Sequence, residues 1–151
     1  MYKHLNPEQN LAGYAGKVVE TLLRSMAFEI QKTLKSSDPD NVHDLRVTCL
    51  RLRHALRLFG KLLPAKAARK VRGRLAKLQE LLAGVRNCDI ALQILGHKSI
   101  APSLSPARRR VLAGKLGQER QRAGRAMRLR LRKMQRSDVL ARWRSRLMAT
   151  G

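Results

Sequence analysis

Along the 151-residue chain, apolar residues recur every three or four positions and almost nowhere every second. That period predicts helices rather than strands. Leu11, Ala15, Val18, Leu22, Met26 and Ile30 define a first helix over about residues 9–35. The segment SSDPDN, residues 36–41, breaks it. Pro39 is expected to stop the helix, with Asp40 or Asn41 capping the next. A second helix runs over about 42–63 and ends near Pro64. In the third, Val71, Leu75, Leu78, Leu82 and Val85 share a stripe that either continues to Leu95 or bends near Gly84. GHKSIAPSLSP, residues 96–106, reads as a loop. A long fourth helix covers about 106–135, with a weak stripe of Leu112, Leu116, Ala123, Met127, Leu131 and Met134. SDVLARWRSRLM, residues 137–148, supplies a short fifth. The predicted fold is all-α: one domain over residues 1–151, an antiparallel four-helix bundle with a short additional C-terminal helix.

The polar side of helix two changes the picture. At about 100° per residue, Leu45, Leu52, Leu56, Phe59 and Leu63 gather in one arc, flanked by Cys49 and Ala55. Opposite lie His43, Arg46, Arg53, His54 and Arg57, continued by Lys61 and interrupted only by Leu50. Arg51 falls off this stripe. Like charges at such spacing repel by a few tenths of a kcal/mol per pair, a cost that a bound anion relieves. Arginine forks match phosphate oxygens in pairs, and a helix start already attracts anions. His43 and Arg46, three residues apart at that start, therefore read as a phosphate seat; the plainer alternative is a solvated basic face.

Charge extends the same argument to the whole chain. Net charge is +23 and the isoelectric point about 11.7. Residues 1–40 balance, with five basic and five acidic side chains; residues 41–151 hold 28 basic against five acidic. An imbalance of that size implies a polyanionic partner: nucleic acid, an anionic membrane or a phosphate polymer. No apolar run reaches the roughly 20 residues of a membrane span, and MYKHLNPEQN has no apolar core, so neither a membrane span nor a signal peptide is expected. Cys49 and Cys88 are too few and too distant for a zinc site, and read as small buried hydrophobes. A reducing cytoplasm fits this usage. There is no Gly-rich phosphate loop, no HExxH and no G-x-S-x-G, and the ten acids lie scattered singly. No cofactor, no metal site and no catalytic residue is expected.

Two further places carry basic residues near apolar stripes. In LLAGVRNCDI (81–90), Arg86 lies beside the stripe of Leu75, Leu78 and Leu82. It either snorkels from the core edge or points into a polar channel, with Asp89 three residues on as a candidate partner. Helix four has twelve Lys/Arg and one acid over residues 108–136. Arg130 falls within its apolar stripe and is expected to look inward. Gly73, Gly84, Gly114, Gly117 and Gly124 each cost a helix about 1 kcal/mol against alanine; they either permit close approach or are simply tolerated. His4 and His97 read as isolated surface residues.

VHDLRVTCLRLRHALRLF, followed about twenty residues later by LLAGVRNCDI, resembles the CHAD domain, the conserved histidine α-helical domain. His43, Arg46, Arg51, Leu52, Arg53, Arg86 and Asp89 match its pattern of a histidine, an arginine three residues on, an R-R-L-R cluster and a later L-G-x-x-R-D-x-D segment. Segment 123–147, which contains VLARW, is similar to the close of a helical unit in that family. Leu50, Ala83 and Asn87 depart from the pattern. The resemblance implies a helical bundle that binds inorganic polyphosphate along a basic surface, in a family often associated with polyphosphate granules. Similar proteins usually contain two related helical units; one histidine-led motif here makes the chain look like one unit, with homodimerisation as a way to restore the pair.

The expected function is therefore non-catalytic polyphosphate binding. Arg46, Arg53 and Arg57 chelate successive phosphates and His43 donates at the helix start. Arg51, His54, Lys61, Arg86 and Arg130 complete the candidate set. The alternative is non-specific nucleic-acid binding, which backbone contacts alone can supply. An aromatic content of 3% argues against base stacking, and no helix-turn-helix signal offers an element to read bases. An enzyme acting on polyphosphate or triphosphate ranks third, for want of a carboxylate cluster.

Overall fold

The computed structural model describes residues 7–149; His4 and most of the segment read as leaderless lie outside them. Five α-helices follow one another: α1 Pro7–Lys35, α2 Pro39–Leu58, α3 Ala65–Leu95, α4 Pro106–Arg136 and α5 Val139–Leu147. A single 3₁₀ turn, Ala101–Ser103, interrupts the α3–α4 connection. Among the described residues there is no strand. The all-α expectation stands, and no helix described is long and apolar enough to cross a membrane.

The break between α1 and α2 works differently from the expectation. Asp38, not Asp40 or Asn41, is the cap: its Oδ1 accepts the Asp40 N–H at 2.9 Å. Pro39 begins α2 rather than only ending α1, because the first position of a helix has no use for the N–H that proline lacks. At the other end α2 stops at Leu58, where the Phe59 N–H returns to the Ala55 carbonyl at 2.9 Å. The chain then turns tightly to Pro64, with the Leu62 N–H on the Phe59 carbonyl at 2.8 Å. Ser105 caps α4 by accepting the Arg108 N–H at 3.2 Å. Each such cap is worth about 1 kcal/mol.

In the core, α1 packs on α2, α2 on α3 and α3 on α4, while α1 and α4 meet only sparingly. α5 touches α1, α3 and α4 and supplies buried Trp143 and Leu147 to the same apolar cluster as Met26, Leu52, Leu75 and Leu131. The short fifth helix is thus a core element. Arg144 fastens it to α1 through Glu20 at 2.7 Å. Asp138, in the turn before α5, takes a left-handed conformation with φ of 51°.

Two stripes sit elsewhere than periodicity placed them. On α1 the buried set is Ala15, Val19, Leu23, Met26 and Ile30, whereas Leu11 is exposed and Val18 and Leu22 are half-buried. On α4 only the second half is buried, from Gly124 to Met134; Leu112 is exposed and Leu116 half-buried. Lengths explain the latter. Helices of 31 residues, α3 and α4, span about 46 Å, but the 20 residues of α2 span about 30 Å. The main core includes α3 only as far as Val85 and α4 only from Met127, with Ala123 packed against it. Beyond that, Ile90, Ile94, Val111 and Leu112 remain exposed.

α3 runs unbroken through Gly84. A Cβ at Gly84 would meet Ala123 at an ordinary 3.8 Å, and at Gly73, Gly114 or Gly117 it would meet nothing within 4 Å. These glycines do not enforce close approach. Both cysteines are free and buried, as their sequence context implied. Loss of solvation pushes the Cys49 thiol up to about 12 and raises that of Cys88.

Candidate functional site

Helix α2 lies between α1 and α3, so its apolar arc is covered from two sides and the opposite face is left to solvent. His43, Arg46, Arg57 and Lys61 are exposed there, as the helical wheel required, with Leu50 exposed among them. The edges of the stripe diverge. Arg53 is half-buried and turns toward α3, where its Nη1 donates to Gln79 Oε1. That hydrogen bond holds one guanidinium at the α2–α3 seam. His54 turns the other way and lines an open cleft against α1 with Arg51, Tyr14 and Phe59. Arg51, set off the stripe by the wheel, is off it in the structure too.

The α3 side of the seam adds basic groups. Arg72 and Arg86 lie seven residues either side of Gln79, on the same face of α3, and both are half-buried. Arg72 was missed by sequence reasoning; its two-turn spacing from Gln79 and Arg86 was the available signal. Arg86 does not pair with Asp89. The partner of Asp89 is Arg120 on α4, whose Nε donates to Oδ1 at 3.0 Å. This buried pair ties α3 to α4. A Cβ at Gly124 would stand 3.2 Å from Arg120 Nη1. Asp89 Oδ1 is thus engaged by Arg120, its Oδ2 is buried with no hydrogen-bond partner among the described residues, and Arg86 is left without an ion pair among them. Among the described residues, none of Arg46, Arg53, Arg57, Lys61, Arg72 and Arg86 forms an ion pair.

Arg130 departs from expectation. It is exposed and does not enter the core; it lines a cavity between α3, α4 and α5 instead. His97 is exposed, with Nδ1 2.7 Å from Ser99 Oγ. Among the described residues no three His, Cys, Asp or Glu side chains converge on one point.

The family model of the CHAD domain matches residues 17–151, which contain the whole of this seam. The chain belongs to the CHAD-domain family. That family is associated with polyphosphate binding. Neither a curated protein nor a solved structure matches the chain.

Proposed function

We propose that this CHAD domain binds inorganic polyphosphate, without catalysis, along the seam of α2 and α3. The observation that carries the reading is the group of six cations, Arg46, Arg53, Arg57, Lys61, Arg72 and Arg86, that form no ion pair among the described residues, with Arg53 hydrogen-bonded to Gln79. Arg46, Arg53 and Arg57 grip successive phosphates, joined by Arg72 and Arg86 from α3, and His43 donates from the second turn of α2, which begins at Pro39 rather than beside His43. Arg51, His54 and Lys61 lie at the margins, where they add attraction rather than fixed contacts. The helices pack as an antiparallel four-helix bundle, and the chain represents one unit of the usual two. A repeating anion laid along the seam relieves the repulsion that the bare row stores.

Titration with long-chain polyphosphate, duplex DNA and RNA at matched phosphate and salt tests this. Polyphosphate binds most tightly if the reading holds; equal or tighter binding of duplex DNA replaces it with a nucleic-acid function. Polyphosphate granules are the expected cellular site, visible as co-localisation of a fluorescent fusion. The same reading makes a homodimer through α1, whose Leu11, Tyr14 and Phe28 are 50%, 59% and 58% exposed. Polyphosphate bridging two seams would strengthen it. Sedimentation that finds a monomer with and without polyphosphate refutes the dimer.

A further inference from the structure

The cavity that receives Arg130 is a second and different site. It encloses about 520 Å³ between α3, α4 and α5, within the range of small-molecule pockets. Lys70, Arg74 and Lys77 line it from α3 at i, i+4 and i+7 spacing; Arg130 and Lys133 face them from α4, and Arg142 from α5. None of these six forms an ion pair among the described residues. Besides Gly73 and Ser137, the rest of the lining is apolar: Leu78, Met134, Val139 and the buried Trp143. Gly73 opens the α3 wall, since a Cβ there meets nothing within 4 Å. An adjoining cleft of about 210 Å³ shares Lys70, Arg74, Val139, Arg142 and Trp143 with it and adds Arg146, so four of its six lining residues are cationic.

An apolar floor beside a ring of cations selects for a ligand of two parts. A bare phosphate chain gains nothing from an apolar floor, and an apolar compound gains nothing from a ring of cations. A flat body seated over Trp143 and Met134, trailing an oligophosphate into the cationic cleft, uses both. Arginine planes additionally stack on flat heterocycles. The geometry points to a nucleoside polyphosphate as the ligand of this groove. The site is separate from the α2–α3 seam, shares no residue with it, and stands or falls independently of polyphosphate binding there.

Trp143 is the only tryptophan of the chain, so its fluorescence reports the groove floor and the packing of α5. The intact protein is titrated, without magnesium, with ATP, inorganic triphosphate and adenosine. ATP is expected to give a saturable response at least about ten-fold tighter than triphosphate, a difference of about 1.4 kcal/mol, with adenosine weaker than either. Gly73→Phe fills the cavity while leaving every charge in place, and is expected to weaken ATP about ten-fold or more. Arg74→Glu and Arg142→Glu alter exposed side chains and serve if that variant does not fold. Arg122→Glu, on α4 outside the groove, and Arg46→Ala, on the seam, should leave ATP affinity within about two-fold. The proposal is overturned by triphosphate binding as tightly as ATP, by the absence of a saturable response up to millimolar ATP, or by an affinity that Gly73→Phe or the two charge reversals leave unchanged. It is also overturned if Arg122→Glu weakens ATP as much as Arg74→Glu does, for then only overall charge is being read.

Discussion

Arg57 on α2 and Arg74 on α3 carry the same guanidinium, yet they stand on surfaces of opposite shape. The seam is an outward-facing row on a helix whose other side is core, and its cations are exposed or half-buried with exposed Leu50 among them. The groove is concave, walled by three helices and floored by Leu78, Met134 and Trp143. A row of charges in high dielectric can follow an anion of any length, with affinity set by how many phosphates it neutralises. A concave site with an apolar floor adds a volume and a shape that a ligand must match. Charge alone attracts; only curvature discriminates.

The largest test of that contrast removes the seam. Arg46→Ala, Arg53→Ala and Arg57→Ala combined should weaken long-chain polyphosphate at least about a thousand-fold, since charged hydrogen bonds contribute about 1.5–3 kcal/mol each. The Trp143 response to ATP should survive in the same triple variant. Parallel loss of both would merge the two sites into one charge cloud.

Next in size is the frame that both surfaces share. Asp89→Ala leaves Arg120 without its carboxylate between α3 and α4, and breaking a buried pair costs about 3 kcal/mol. Denaturant unfolding should show that loss, with polyphosphate affinity of the surviving folded protein little changed. A loss of binding without a loss of stability would instead make Asp89 a member of the site.

Asp138→Gly should act in the opposite direction. Its φ of 51° is costly for a side chain and free for glycine, so the variant is expected to gain up to about 1 kcal/mol. That substitution touches the turn that positions α5, and therefore the groove rather than the seam. A destabilised variant would mean that the Asp138 side chain has a role its conformation does not reveal.

The smallest effect is with pH. Hydrogen bonds from Arg24 and Arg144 hold the Glu20 carboxyl below its ordinary 4.5. A lowered carboxylate stabilises the fold fully above about pH 4.5 and ceases to do so as the pH falls through its folded value. Acidification should therefore loosen α5 and shift Trp143 fluorescence below pH 4.5, and Glu20→Gln should lose that component. An unchanged acid profile in Glu20→Gln would leave α5 held by its apolar contacts alone.

Much of this molecule was readable in advance because its signals are local. The helix-two wheel separated Leu45, Leu52 and Leu56 from His43, Arg46 and Arg57, and the structure buries and exposes them accordingly. The off-stripe position of Arg51 was equally legible. The Asp38–Pro39 start was misread because proline is a stop signal inside a helix and a favoured residue at its first position; periodicity does not distinguish the two. The α4 stripe was overextended because Leu112 and Met127 have the same spacing but not the same neighbours.

The sequence by itself determined that the chain is helical, where its breaks fall within a few residues, that α2 has one apolar and one cationic face, and that the excess charge lies after residue 40. Each of these depends on residues within about two turns of one another, and the 3.6-residue period transmits that information directly. Only the tertiary structure decided that Asp89 pairs with Arg120 and leaves Arg86 without an ion pair among the described residues, that Arg53 is held by Gln79, and that Arg130 faces outward into a cavity. It also decided that α5 belongs to the core, bringing Arg142 and Trp143 to the cations of α3 and α4. Most of these are meetings between residues far apart in sequence, such as Arg53 with Gln79 at 26 positions and Lys70 with Arg142 at 72. Helix lengths and the order in which faces cover one another decide them, and no repeat within a single helix encodes either.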